Sequence, residues 1–229
     1  MSTIESNLQA VRARIAAAAR AAGREPGEVA LLAVSKTFAA EAVRAAHAAG
    51  QREFGENYVQ EAQVKIAALS GLPLIWHFIG PIQSNKTRAI AEHFDWVHSV
   101  AREKIALRLA EARPPQRGPL DICLQVNVSG ETSKSGVAPE ELRPLAEAVR
   151  SLPRLRLRGL MAVPEPSDDI ELQRRRFGSL RLLLQQLNAA GFELDTLSMG
   201  MSQDLEAAVT EGATIVRIGT AIFGERTKA

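Results

Sequence analysis

The chain has 229 residues and a mass of 24.7 kDa, a length that a single α/β barrel of ~200–250 residues uses without remainder. Hydrophobic residues make up 46% and charged residues 24%, a globular balance that excludes a disordered chain. Twenty-eight basic against 26 acidic side chains leave a net charge of +2, too mild for a dedicated nucleic-acid binder, and the single cysteine, Cys123, excludes a disulfide framework or a paired-cysteine zinc site.

The first twenty residues place Ile4, Leu8, Val11, Ile15 and Ala19 at helical spacing, with Ser2 and Glu5 in capping-box register. That pattern reads as an amphipathic helix; Arg12, Arg14 and Arg20 give it only a superficial likeness to a transit peptide. Short β-like runs then alternate with longer helical ones. A strand over 29–35 precedes a helix over 40–49 that Gly50 ends, and a run over 52–55 precedes a helix over 58–69. The next pairs are 74–79 with 86–93, 95–100 with 102–113, 120–128 with 139–151, and 155–163 with 170–190. Two shorter units follow, 195–199 with 203–211, then 214–218 with the final residues.

Eight strand–helix alternations on short connections imply parallel βαβ units, and eight is the number that closes a barrel. The expected fold is one (β/α)8 TIM barrel over residues 1–229 with an additional N-terminal helix and no C-terminal β domain. In the fifth strand, Ile122, Leu124, Val126 and Val128 share the face suited to the helices, which puts Cys123 inside as a small filler and Asn127 at the interior mouth. No apolar run approaches the ~20 residues that span a bilayer, so a cytoplasmic protein without membrane contact is expected. No extended apolar surface helix argues for a dimer, and a monomer is the default.

Active sites of such barrels lie at the C-terminal ends of the strands. Lys36 closes the first, apolar strand, where a costly charge lowers an amine's pKa and makes it a Schiff-base nucleophile toward carbonyl compounds. A snorkelling lysine is the plainer alternative. Ser198, Gly200 and Ser202 lie where strand seven turns into its helix, and Gly219 and Thr220 follow strand eight. Loops after strands seven and eight commonly hold phosphate on backbone N–H groups at a helix start; ordinary capping by Ser202 is the alternative. Asp204 and Glu206 share that first turn and must face away from any phosphate. Arg217, if it points into the barrel, needs an anionic or ring-nitrogen partner there. Strands one and eight are neighbours in a closed barrel, so an aldehyde-bearing phosphate such as pyridoxal 5′-phosphate fits the pair of features.

The segments AVSKT (33–37), FGENYVQE (54–61), WHFIGPIQSNK (76–86), SKSG (133–136), RGLMAV (158–163), LSMGMSQDLEAAV (197–209) and VRIGTAIFG (216–224) fall in order along the chain. Together they resemble the pyridoxal phosphate homeostasis protein family, whose barrel is similar to the N-terminal domain of alanine racemase, fold type III. The resemblance implies that Lys36 forms an internal aldimine with the cofactor. It also implies that Gly200, Ser202, Gly219 and Thr220 contact the phosphate, with Ser198 in the same loop. Arg217 then faces the pyridine nitrogen, and Asn57 and Met161 surround the ring.

The implied role is non-catalytic: a carrier that limits the free aldehyde in vitamin B6 homeostasis and supplies apo-enzymes through transient contact. A cation at the pyridine nitrogen keeps it unprotonated and weakens carbanion chemistry. The alternative is a weak amino-acid racemase, which needs a second acid, Tyr58 or His77. Lys86 and Lys134 read as solvated loop lysines, with a second, transient cofactor site as the alternative. Nucleic-acid binding through Arg154, Arg156, Arg158 and Arg174–Arg176 is disfavoured by the mild net charge, with Asp168, Asp169 and Glu171 diluting the second cluster. No metal is expected, since the histidines lack ligand spacing.

Overall fold

The computed structural model describes residues 3–130 and 135–225. Eight parallel strands close a barrel in sequence order: β1 Ala30–Val34, β2 Glu53–Glu56, β3 Ile75–Phe78, β4 Trp96–Val100, β5 Leu120–Gln125, β6 Leu155–Met161, β7 Thr196–Ser198 and β8 Ile215–Ile218. β8 pairs back onto β1 in the register Ala33↔Ile218, which completes the ring. Outside it run α2 Ala40–Ala48, α3 Val59–Ala68, α4 Thr87–His93, α5 Glu103–Ala112, α6 Leu142–Arg150, α7 Ile170–Ala189 and α8 Leu205–Thr210. The extra N-terminal helix, α1 Thr3–Ala21, buries Leu8, Val11, Ile15, Ala18 and Ala19, close to the stripe read from the sequence. A short helix not foreseen there, α9 Thr220–Phe223, follows β8. Ser2 of the expected capping box lies outside the described residues.

Each outer helix is held by its apolar face. In α6 the buried set is Leu142, Leu145, Ala146 and Val149, spaced by three and four residues, and burying a leucine or valine is worth ~1.5–3 kcal/mol. These residues join one shell with Ile122, Leu124, Leu160 and Val216 from the strands' outward faces. Leu32, Cys123, Met161 and Ile215 are buried but lie off that shell, filling the barrel interior between alternate strand positions. Cys123 is thus an inward filler whose thiol burial pushes far up in pKa.

The N-terminal end of the barrel is closed by ion pairs. Arg156 and Arg158 both reach Asp121, and Arg158 also meets Asp195 at 2.6 Å and lies over the Trp96 ring. Two arginines of the rejected nucleic-acid face are therefore committed to carboxylates. The opposite, C-terminal end is left to the loops.

Candidate active site

A cavity of about 600 Å³ opens at the C-terminal ends of the strands. Six of the residues singled out from sequence line it: Lys36, Asn57, Ser202, Arg217, Gly219 and Thr220. Val34, Ile79 and Val163 supply apolar wall, and Gln173, from α7, hydrogen-bonds Ser167 O across the rim. Ser198, Gly200 and Met161 do not line it. Ser198 and Met161 are sealed beneath, and Gly200 acts through its backbone, accepting the Arg217 N–H at 2.9 Å.

Two glycines shape the floor of the cradle, the first by necessity and the second by a tight approach. Gly200 has φ +93°, and a Cβ on it would stand 2.5 Å from Ala208 Cβ, so the turn into α8 demands glycine. Gly219 lies so near the end of β1 that a Cβ would meet Val34 O at 3.1 Å. The backbone of β8 can therefore run close under the turn that carries Lys36. At α9, the first-turn N–H groups from Gly219 onward have no helical acceptor. Because α8 and α9 are only six and four residues long, any anion held here depends on those local N–H and hydroxyl groups more than on helix dipoles.

The Lys36 turn is clamped from behind. Thr37 takes φ +69°, uncommon for a β-branched residue, and its N–H donates to Glu61 Oε1 at 2.5 Å. Lys65 Nζ, buried, donates to Ser35 O, Glu56 Oε1 and Glu61 Oε1 at 2.6–2.7 Å, while Ser35 Oγ donates to Glu56. Burial pushes the Glu56 carboxyl up and Lys65 opposes that shift. Sequence reading missed this cluster. Its signal was Lys65 itself, a charge on the same face of α3 as buried Val59 and Ala62.

Arg217 is buried and points inward, as the sequence allowed. Its Nη1 donates to Ser198 O and Ser198 Oγ, its Nη2 to Ala162 O at 2.8 Å. Burial lowers its pKa to about 10, with Asp204 opposing, so it stays a cation. Asp204 corrects one expectation. Glu206 faces away, paired bidentately with Arg14 at 2.6 Å, but Asp204 lines the cavity and accepts the Met201 N–H. Burial raises its pKa.

Asn127 also departs from expectation. It lies on a separate cavity with Gly136, Ser179 and Leu182, because the chain beyond β5 turns outward to pair Val126 with Val137. Neither residue named as a second acid reaches the main cavity: Tyr58 is exposed at the start of α3, and His77 is sealed inside the barrel. Lys86 ends a short turn outside the lining, and Lys134 lies outside the described residues.

The arrangement suits a ligand carrying a carbonyl and an anion. Lys36 offers a primary amine, Gly219, Thr220 and Ser202 offer donors, and a buried cation stands beneath. The buried Asn57 Oδ1 has no hydrogen-bond partner among the described residues, an acceptor left for a ligand. The fold is that of a closed eight-stranded parallel barrel with its cavity at the strands' C-terminal ends, and the chain belongs to the family described as alanine racemase, N-terminal domain, whose model matches residues 6–227. Within it the chain groups with the pyridoxal phosphate homeostasis proteins. It is 67% identical to the one from Pseudomonas aeruginosa over 226 residues, covering 99% of this chain and 97% of the relative, and 52% identical to that of Escherichia coli over 229 residues, covering 99% and 98%. Among solved structures it is similar to PipY of Synechococcus elongatus with pyridoxal phosphate bound, with TM-score 0.85, 39% identity, 96% of this chain and 100% of the other. Alanine racemase from Corynebacterium glutamicum, at 17% identity and TM-score 0.71, shares the fold over 98% of this chain and 60% of its own length.

Proposed function

We propose that the protein binds pyridoxal 5′-phosphate in this cavity and serves in vitamin B6 homeostasis, holding the reactive aldehyde and releasing it to apo-enzymes in the cytoplasm. The observation that carries the reading is the placement of Lys36 and the Gly219–Thr220 turn in one cavity, joined across the β1–β8 seam. When bound, the cofactor supplies an aldehyde that condenses with a primary amine. Lys36 Nζ is the nucleophile, its turn held rigid by Lys65 and Glu61. Ser202, Thr220 and the local backbone N–H groups hold the phosphate. Arg217, a cation at neutral pH, would face the ring nitrogen and disfavour a second positive charge there. Asn57 would orient the ring edge.

Racemisation needs an acid or base on each face of the substrate. The placements of Tyr58, on the surface, and His77, sealed below, support the carrier reading over the racemase. Burial takes His77 to a pKa of about 3, so near neutrality it is a neutral imidazole and no general acid.

The test is the absorption spectrum of protein incubated with pyridoxal phosphate, wild type beside Lys36→Ala, followed by borohydride reduction and peptide mapping. The expected result is a visible band in the wild type alone and a reduced adduct on Lys36. A colourless wild type, or an adduct confined to other lysines, would overturn the reading. Rapid isotope exchange at the Cα of an added amino acid would point instead to the racemase.

A further inference from the structure

Arg217 is one end of a polar chain that crosses the barrel interior. Ser198 Oγ lies 2.8 Å from Arg217 Nη1 and 2.7 Å from His98 Nδ1. His98 Nε2 lies 2.9 Å from His77 Nδ1, and His77 Nε2 points toward Glu53 Oε2 at 3.6 Å, beyond hydrogen-bond length. The His77 ring is stacked on Trp96, with centroids 5.4 Å apart. Four of the five residues, all but Glu53, are buried, and they come from β8, β7, β4 and β3.

A guanidinium can only donate, which sets the direction of the first bond, and the need of the buried serine proton for an acceptor sets the rest. Ser198 Oγ accepts from Arg217, and among the described residues His98 Nδ1 is the one group within hydrogen-bond reach that can accept its proton, so the buried hydroxyl is satisfied when it donates there. Neutral His98 then carries its hydrogen on Nε2 and donates to His77 Nδ1, which puts the His77 hydrogen on Nε2. We propose that His98, backed by His77, is a positioning residue for Arg217: the one-way chain fixes the Ser198 hydroxyl as an acceptor and so fixes where the guanidinium points. Burial, with the Arg217 charge adding to it at His98, holds both rings neutral and keeps the direction from reversing. The proposal rests on the reading that Arg217 faces the cofactor ring.

Two measurements test it on the whole protein. In the cofactor-free protein at pH 7, nitrogen-15 NMR should show His98 and His77 each as a single neutral tautomer with hydrogen on Nε2. Arg217→Met should release the Ser198 hydroxyl and give His98 a mixture of tautomers; a mixture in the wild type, or no change in the variant, overturns the chain. With pyridoxal phosphate, His98→Leu should shift the visible band and weaken binding about tenfold, the scale of one misplaced hydrogen bond to a charged group. His98→Asn, whose side-chain oxygen can still accept from Ser198, should restore both. A wild-type band and affinity in His98→Leu overturn the positioning role, as does failure of His98→Asn to restore them while it folds normally by circular dichroism. If the wild type takes up no pyridoxal phosphate, the reading of the site falls and the cofactor half of the proposal with it, while the NMR measurement still decides the chain.

Discussion

Lys65 and Glu56 are a buried ion pair whose purpose is local. Glu56 has one oxygen occupied by Lys65 and Ser35 and the other without a partner among the described residues, so its charge is tolerable only beside the ammonium. Lys65→Met leaves that carboxylate uncompensated and frees the Ser35 carbonyl beside Lys36. A cost of ~3–5 kcal/mol is expected, the range for breaking a buried pair from one side. Urea unfolding measures it; the double variant Lys65→Met with Glu56→Gln should recover part of the loss. Recovery of stability without recovery of cofactor uptake would separate the pair's support of the fold from its support of the Lys36 turn. Lys36 itself was legible because strand-end position and apolar neighbours are local properties. The pair behind it was not, since Glu56 and Lys65 meet only once β2 and α3 are packed.

At the scale of elements, the cradle is built from the weakest ones. α8 and α9 are too short to be stable alone and are shored up by α1. Asn7 donates to Ile222 O, and Arg14 donates to Ser202 O at 2.7 Å while pairing with Glu206. The Glu206 carboxyl is accordingly held below its ordinary value by the Arg14 hydrogen bond. Arg14 is 40% exposed, so Arg14→Ala should cost under about 1 kcal/mol and barely move the melting temperature. It releases the Ser202 carbonyl, and pyridoxal phosphate affinity, measured by fluorescence titration, should fall several-fold. Unchanged affinity would make α1 a cover for the core and nothing more. The eight strand–helix pairs were readable because each carries its own periodicity and turn residues, and helix ends fell within a few residues of those expected. α9 was missed because four residues hold no period to read. Asn127 was misplaced because the chain leaves the strand path after Gln125, and alternation stops being a guide there.

For the whole molecule, the barrel's interior is the part that sequence pattern hid. Which face of a strand turns inward, and which residues then share a layer, depends on register across all eight strands; His77, His98 and Ser198 are spread over more than a hundred residues of chain. Buried together, they also set how the protein answers acid. His77 falls from 6.5 to about 3 and His98 falls well below 6.5, both chiefly through burial. Between those limits the unfolded chain binds more protons at the two rings than the folded one. Stability from this source is therefore complete above pH ~6.5 and is lost as pH falls toward 3, at up to ~1.4 kcal/mol per pH unit for each ring. Glu53, Glu56 and Asp204, all raised by burial, act in the opposite sense from their ordinary carboxylate values upward, so the informative quantity is a difference between proteins. Denaturant unfolding at pH 7, 6 and 5 should show wild type losing stability with a steeper slope than His98→Asn, and that variant steeper than His98→Asn with His77→Phe. Parallel slopes in all three would mean that the rings take up protons in the folded barrel, and the interior layer would then be wet rather than sealed.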